Sequence, residues 1–491
     1  MRIAAFVLIA VSLSAGAVPS ARRLDGILAS TPASRRAHWG ILVVDAATGK
    51  TVYSHNASHY FVPASNTKLL TTALALERLG PTHHMTTRVV ASSPPDSAGV
   101  IHGDLRLVGG GDPSLSGRAY PYRKEAQPAN PLAAIEEFAE AVYRRGVRRI
   151  TGDVVGDDTA YVWAPYPPGW AMDDAVWEYG APVSALAVND NAVRLIVEPG
   201  ERAGEPAYVF FEPPLAYYIV DNRTRTGEGP PIRASRATGS RELLLRGSVP
   251  PGGSPYREWL AVDDPARYAA FALYDALARR GVSIDGRPVA AHRWADSVAD
   301  LRRGAPEKTT EACELARRDS PPLVDLLKVV NKVSQNLHAE LLLRETARMR
   351  RNVGSREAGL EELKSFLHEV GVDEHGYAVY DGSGLSRLNL LTPETVVRLL
   401  LHMYRSPHRE AWMETLPVGG EDGTLSSRFR GAACSGRVRA KTGTLTHVSA
   451  LSGYLERYDK RRWAFAIFVN NYEAPSSSIR EVMDRLVAAL L

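Results

Sequence analysis

The chain has little of several features that would settle its class at once. Of 491 residues only two are cysteine, Cys313 and Cys434, too few for a disulfide scaffold; they either pair or stay as two buried thiols. No Cys/His cluster has zinc spacing, His83-His84 being a bare pair, so no metal and no cofactor is expected. A net charge of +4 is small for this length and gives no reason to expect a nucleic-acid partner. It is compatible with work beside an anionic cell wall or membrane surface. Beyond the N-terminus no stretch approaches the ~18 consecutive apolar residues of a membrane-spanning helix, which leaves at most a peripheral membrane association. There are no internal repeats and no low-complexity tracts, and nothing in the composition sets an oligomeric state.

The N-terminus is informative. "MRIAAFVLIAVSLSAGAVPSARR" carries Arg2, an apolar run from Ile3 to Val11, and then Ala15-Gly16-Ala17. That is the layout of a secretory signal peptide (residues 1–17) cut after Ala17, an uncleaved anchor being the alternative. The mature chain is expected outside the cytoplasm, periplasmic or associated with the cell wall.

The middle and the ends differ in texture. "WGILVVDAATGKTVYSHN" predicts a hairpin with strands over 41–44 and 51–54. A helix follows and stops near Gly80-Pro81. From about residue 88 to 250 short β-like runs are broken by Gly, Pro and Asp, with helical periodicity in "PLAAIEEFAEAVYRRGV" and, from 265, in "PARYAAFALYDALARRGV". The chain then turns helical from "SPPLVDLLKVVNKVSQNLHAELLLRETARMR" and returns to strands in "GRVRAKTGTL", "SALSGYLE" and "WAFAIFVNN" before a last helix over 479–490. Strands at both ends with helices between them suit an α+β fold with one antiparallel sheet, interrupted by mostly β inserted segments.

Three short motifs carry the chemistry. In "PASNTKLLTT" Ser65 and Lys68 stand at i and i+3 at the opening of a helix, close enough to touch. A serine hydroxyl needs a base to become a nucleophile. A lysine serves only when neutral, and lowering its pKa from ~10.4 to near 7 takes about 4–5 kcal/mol, which desolvation and a neighbouring cation supply. In "NKVSQNLHAE" Ser334 and Asn336 lie on a short polar loop between helical stretches, where the hydroxyl can relay a proton and the amide can hold Lys68. In "RAKTGTL", Lys441 puts a cation near the serine and Thr442 suits a substrate carboxylate. Gly443 lets a ligand approach the strand and the Thr444 N–H completes an oxyanion hole. Each motif alone is compatible with ordinary caps and surface lysines; the three in this chain order form a recognised serine-acylating set.

These motifs, together with "GGGDPSLS", "PGWAMDDAVWEYGAPVSALAVNDN", "YDGSGLSRLNLLTP" and "AKTGTLTHVSALSGYL", resemble the class C low-molecular-mass penicillin-binding proteins, the D-alanyl-D-alanine carboxypeptidase/endopeptidases, over nearly the whole mature chain. The resemblance implies a penicillin-binding/serine β-lactamase-like domain over 24–87 and 300–491. It further implies an inserted domain over 88–190 and 264–299 and a second one nested at 191–263. It implies hydrolysis of peptidoglycan stem peptides and cross-links through an acyl-enzyme on Ser65, with β-lactams as covalent inhibitors. Lys68 would take the serine proton, Ser334 would return it to the leaving amine, Asn336 would orient lysine and substrate, and Lys441 and Thr442 would bind the terminal carboxylate. Two further positions carry over, Asp158 facing the cleft and Arg387 binding the diaminopimelate side chain. The alternatives are a serine β-lactamase, which needs a deacylating base that no Glu-centred motif between Ser65 and Ser334 supplies, and an inactive scaffold of the same fold.

Overall fold

In the computed structural model, which describes residues 20–491 other than 128, 303, 305–312 and 432, the two ends of the chain build one sheet. The expected signal segment, residues 1–17, lies outside the described residues. Five antiparallel strands run in the order Val438–Leu445, Val448–Glu456, Arg462–Asn470, His38–Asp45, Thr51–His55. The N-terminal hairpin joins the three C-terminal strands in one sheet, as the strand-helix-strand order predicts, and it pairs with the third of them.

The segment from Trp463 to Asn470 is buried at every residue. A strand with one wet face alternates apolar and polar residues; this one does not, because helices cover both faces. Trp463, Phe465 and Ile467 pack on the helices Ala21–Leu28 and Ser476–Ala489. Ala464, Ala466 and Phe468 face the helix Pro393–Arg405, in a core that also takes in Leu69, Leu70 and Leu74 of the helix Thr67–Leu79. That helix is buried from Thr67 through Leu76, as a helix without a hydrophilic stripe must be. It ends at Gly80, whose φ is +82°. Around it stand Leu323–Lys332, Asn336–Arg351, Arg356–Glu369 and Pro393–Arg405.

The interruption holds a five-stranded mixed sheet in the order Pro288–Arg293, Val154–Val162, Leu105–Val108, Thr86–Ala91, Cys313–Asp319. The first two pairings are parallel and the last two antiparallel. The two helices predicted from periodicity form here, as Ala133–Arg144 and Pro265–Arg279. Two expected boundaries, 88 and 300, fall within the reach of the insert's sheet. Cys313–Asp319 pairs along the length of Thr86–Ala91, so the insert's sheet extends past both 88 and 300. β-like texture marks a strand but not its partner when the two are far apart in sequence.

Between residues 192 and 261 lie two three-stranded sheets, Tyr256–Ala261/Ala192–Glu198/Tyr208–Glu212 and Ile219–Thr226/Glu242–Val249/Arg233–Ser235. They share one core with the larger insert. Cys313 and Cys434 are both free thiols. The first sits on the insert's edge strand, and the second is buried against the catalytic sheet. Among the described residues no helix is long and apolar enough to cross a membrane.

Candidate active site

Ser65 sits in a single 3₁₀ turn, Ala64–Asn66, that leads into the helix Thr67–Leu79. Ser65 is half-buried. Lys68, one turn on, is fully buried. Its Nζ lies 2.9 Å from Ser65 Oγ, 2.6 Å from Asn336 Oδ1 and 2.6 Å from the backbone oxygen of Ser383. The Asn336 amide is oriented by its other end, since Nδ2 donates to the Tyr179 carbonyl at 2.8 Å; its Oδ1 is therefore the atom turned to the lysine.

Two of the three partners of Nζ can only accept. A charged ammonium donates to all three. A neutral amine keeps both N–H groups on the two carbonyl oxygens and turns its lone pair to the Ser65 hydroxyl, the geometry of a general base. Burial drives the Lys68 pKa down from the ordinary lysine range to about 7, against the opposing charges of Asp381 and Glu340. Lys441 is lowered too, first by burial and then by repulsion from Lys68. The sequence reading made Lys441 a main cause of the shift on Lys68. Burial is the leading cause for both lysines, and the two cations disfavour one another.

Ser334 occupies the left-handed region, with φ +68°, between the helices Leu323–Lys332 and Asn336–Arg351. A non-glycine residue there is uncommon and marks a conformation held by its surroundings. Its Oγ accepts from Lys441 Nζ at 2.8 Å; the lysine also donates to the Thr442 carbonyl at 2.9 Å.

The strand Val438–Leu445 is the edge of the sheet. Ala440 donates its N–H away from the neighbouring strand, to Pro417 at 3.0 Å. Two-residue alternation turns the N–H groups of Thr442 and Thr444 the same way. A Cβ on Gly443 would come within 2.8 Å of the Pro63 oxygen and 3.1 Å of the Ser65 nitrogen. Glycine is therefore required for the strand to lie against the nucleophile turn. Thr442 Oγ1 donates to Thr424 Oγ1 at 2.8 Å.

The structure thus brings Ser65, Lys68, Ser334, Asn336, Lys441, Thr442, Gly443 and Thr444 together. Arg387 stands exposed at the rim, with Nη1 3.3 Å from the Thr446 carbonyl. Asp158 lies buried on the strand Val154–Val162 of the insert. It is 1% exposed, with one oxygen 2.9 Å from His292 Nδ1 and the other accepting from Ser184 Oγ at 2.8 Å. Burial opposes the charge on His292, but Asp158 and Asp264 outweigh it and raise that pKa to about 9. An aspartate in a β-like run gives no sign of which face it takes without the register.

Sequence reasoning missed the floor of the site. Asp381 accepts from the N–H groups of Gly384 and Ser386 and from Trp170 Nε1. Glu340 accepts from Gly382 and Ser383 at 2.8 and 2.9 Å and pairs with Arg344 at 3.0 Å. These two buried carboxylates hold the loop so that the Ser383 carbonyl meets Lys68. "YDGSGLSRLNLLTP" drew notice only as a point of resemblance; nothing local distinguishes Glu340 or Thr424.

The chain has relatives among known proteins. The chain is 36% identical over 467 residues to a D-alanyl-D-alanine carboxypeptidase of Actinomadura sp. (strain R39), covering 92% of this chain and 81% of the relative. It is 25% identical over 450 residues to the D-alanyl-D-alanine carboxypeptidase DacB of Haemophilus influenzae, covering 88% of this chain and 85% of that one. The crystal structure of penicillin binding protein 4 (dacB) from Haemophilus influenzae superposes with a TM-score of 0.80 at 22% identity, over 95% of this chain and 98% of the other, which shows the fold. The family model of the D-Ala-D-Ala carboxypeptidase 3 (S13) family matches residues 20–490, and the chain belongs to that family.

Proposed function

We propose that Ser65 hydrolyses the D-alanyl-D-alanine ends and D-alanyl cross-links of peptidoglycan stem peptides through an ester intermediate, and that β-lactams acylate the same oxygen. The observation that carries this reading is the set of acceptors around Lys68 Nζ, which leaves a neutral amine with only the Ser65 hydroxyl to act upon.

Neutral Lys68 takes the Ser65 proton as Oγ bonds to the scissile carbonyl carbon. The Ser65 and Thr444 N–H groups hold the resulting oxyanion. Collapse breaks the C–N bond, and the leaving amine takes a proton from the Lys68 ammonium, either directly or through Ser334, whose Oγ is backed by Lys441. Lys441 and Thr442 hold the terminal carboxylate of the donor strand. Water then repeats the sequence on the ester, with the same lysine as base. Arg387 receives the acidic end of the stem side chain at the rim. Asp158 anchors His292 inside the insert and touches no substrate. The division between the catalytic unit and the insert falls at the paired strands Thr86–Ala91 and Cys313–Asp319. The enzyme works outside the cytoplasm, where its polymer is.

The β-lactamase alternative requires a base that clears the ester quickly. Among the described residues no carboxylate hydrogen-bonds to Ser65 or Lys68, which favours slow release of penicillin. Incubation of purified sacculi with the wild type releases D-alanine and cleaves cross-links, read from the muropeptides. Ser65→Ala does neither, and a mutant retaining both activities overturns the assignment. Nitrocefin gives a single burst; sustained turnover would favour a β-lactamase.

A further inference from the structure

The nested unit between 191 and 263 contains nine arginines, no lysine and nine acidic residues. It is neutral as a whole, so the placement of its charges is what matters. Six of the arginines but only three of the acids lie within 219–249, the segment that forms the sheet Ile219–Thr226/Glu242–Val249/Arg233–Ser235.

In that sheet Arg246 on the central strand is paired in register with Arg223 on one side and Arg233 on the other. Directly paired residues share a face, and that face is the outer one, because Leu243, Leu245 and Val249 on the central strand point into the core. Arg225, two residues from Arg223, shares it. All four are exposed. Strand spacing of about 4.8 Å puts three guanidinium stems in a row roughly 10 Å long. Like charges directly opposite one another destabilise a sheet, and local compensation is partial. Arg223 pairs with Asp221 at 2.6 Å and Arg225 donates to the Gly204 carbonyl at 3.1 Å. Arg246 feels the charge of Asp221 only at longer range. Arg233 and Arg246 make no hydrogen bond or ion pair among the described residues.

We propose that this row of arginines is a docking surface for a linear polyanion that carries successive phosphate groups. The guanidinium fork matches phosphate oxygens two at a time, and a row, unlike a ring, presents its forks to successive phosphates along one chain. The strand positions flanking the row offer one large exposed apolar side chain, Ile219, and anchoring in a bilayer needs buried apolar area as well as charge. The surface tethers the enzyme to an anionic polymer and leaves the chemistry at Ser65 untouched.

The test uses the full chain with two probes in separate titrations, long-chain inorganic polyphosphate and phosphatidylglycerol vesicles. Binding is measured over a range of salt concentrations for the wild type, for Arg233→Ser with Arg246→Ser, and for Arg257→Ser on the other sheet. The wild type binds polyphosphate. The double variant loses roughly tenfold or more in affinity, and the slope of log affinity against log salt falls by about two, one for each phosphate contact removed. Arg257→Ser binds as the wild type, and penicillin acylation is the same in all three proteins, which shows they are folded. The proposal is overturned by a double variant that binds like the wild type, by wild type that ignores polyphosphate, or by wild type that binds only phosphatidylglycerol vesicles.

Discussion

Lys68 Nζ and Ser65 Oγ lie 2.9 Å apart, inside a ring of acceptors that leaves the lysine one useful task. The arrangement stores a cost. A lysine that is buried wherever the chain is folded and free wherever it is unfolded links stability to pH, and the linkage can be measured.

The folded-state pKa of Lys68 is about 7 and the unfolded value near 10.4. Between these values the unfolded chain binds the extra proton, so stability rises with pH across that window. Below about pH 7 the full penalty is present; above about 10.5 it is gone. Its ceiling is about 4–5 kcal/mol. Stability of the wild type relative to Lys68→Met, measured by urea unfolding, increases as pH rises from 7 to 10. A constant difference would mean that the lysine keeps its ordinary pKa.

Glu340→Gln separates charge from shape. The Gln side-chain oxygen can still accept from the N–H groups of Gly382 and Ser383, so the Ser383 carbonyl stays on Lys68. Glu340 is one of the two charges that hold the Lys68 pKa up against burial. Without it the acid limb of penicillin acylation moves to lower pH. The substitution also leaves Arg344, 1% exposed, without its carboxylate, at a cost of about 3 kcal/mol. An upward move of the limb, seen in stopped-flow acylation rates, would contradict this placing of charge.

Gly443→Ala drives a methyl group against the Pro63 oxygen and the Ser65 nitrogen. The strand has to move away from the nucleophile turn, which separates the two N–H groups that share the oxyanion. Loss of one such donor costs about 10²–10³ in rate. Acylation falls by that order while the melting temperature changes little, since only an edge strand shifts. Unchanged acylation would remove the Thr444 N–H from the mechanism.

Much of this was legible in the sequence, and the limits have physical causes. The sheet and the three motifs declared themselves because strand periodicity and Ser-x-x-Lys, Ser-x-Asn and Lys-Thr-Gly are local patterns. Asp381 and Glu340 were silent because their work is done through backbone N–H groups of a loop, and any residue supplies those. The strand Cys313–Asp319 joined the insert through pairing with a distant segment. Asp158 turned inward because strand register, not residue type, decides the face.

The central claim is that Ser65 is activated by an uncharged Lys68. It is tested most directly by the pH dependence of the second-order rate constant for acylation of Ser65 by benzylpenicillin. The account predicts a rate that rises with pH through a single ionisation near 7 and then levels off. A rate that stays flat down to pH 5, or one that rises only above pH 9, would contradict it.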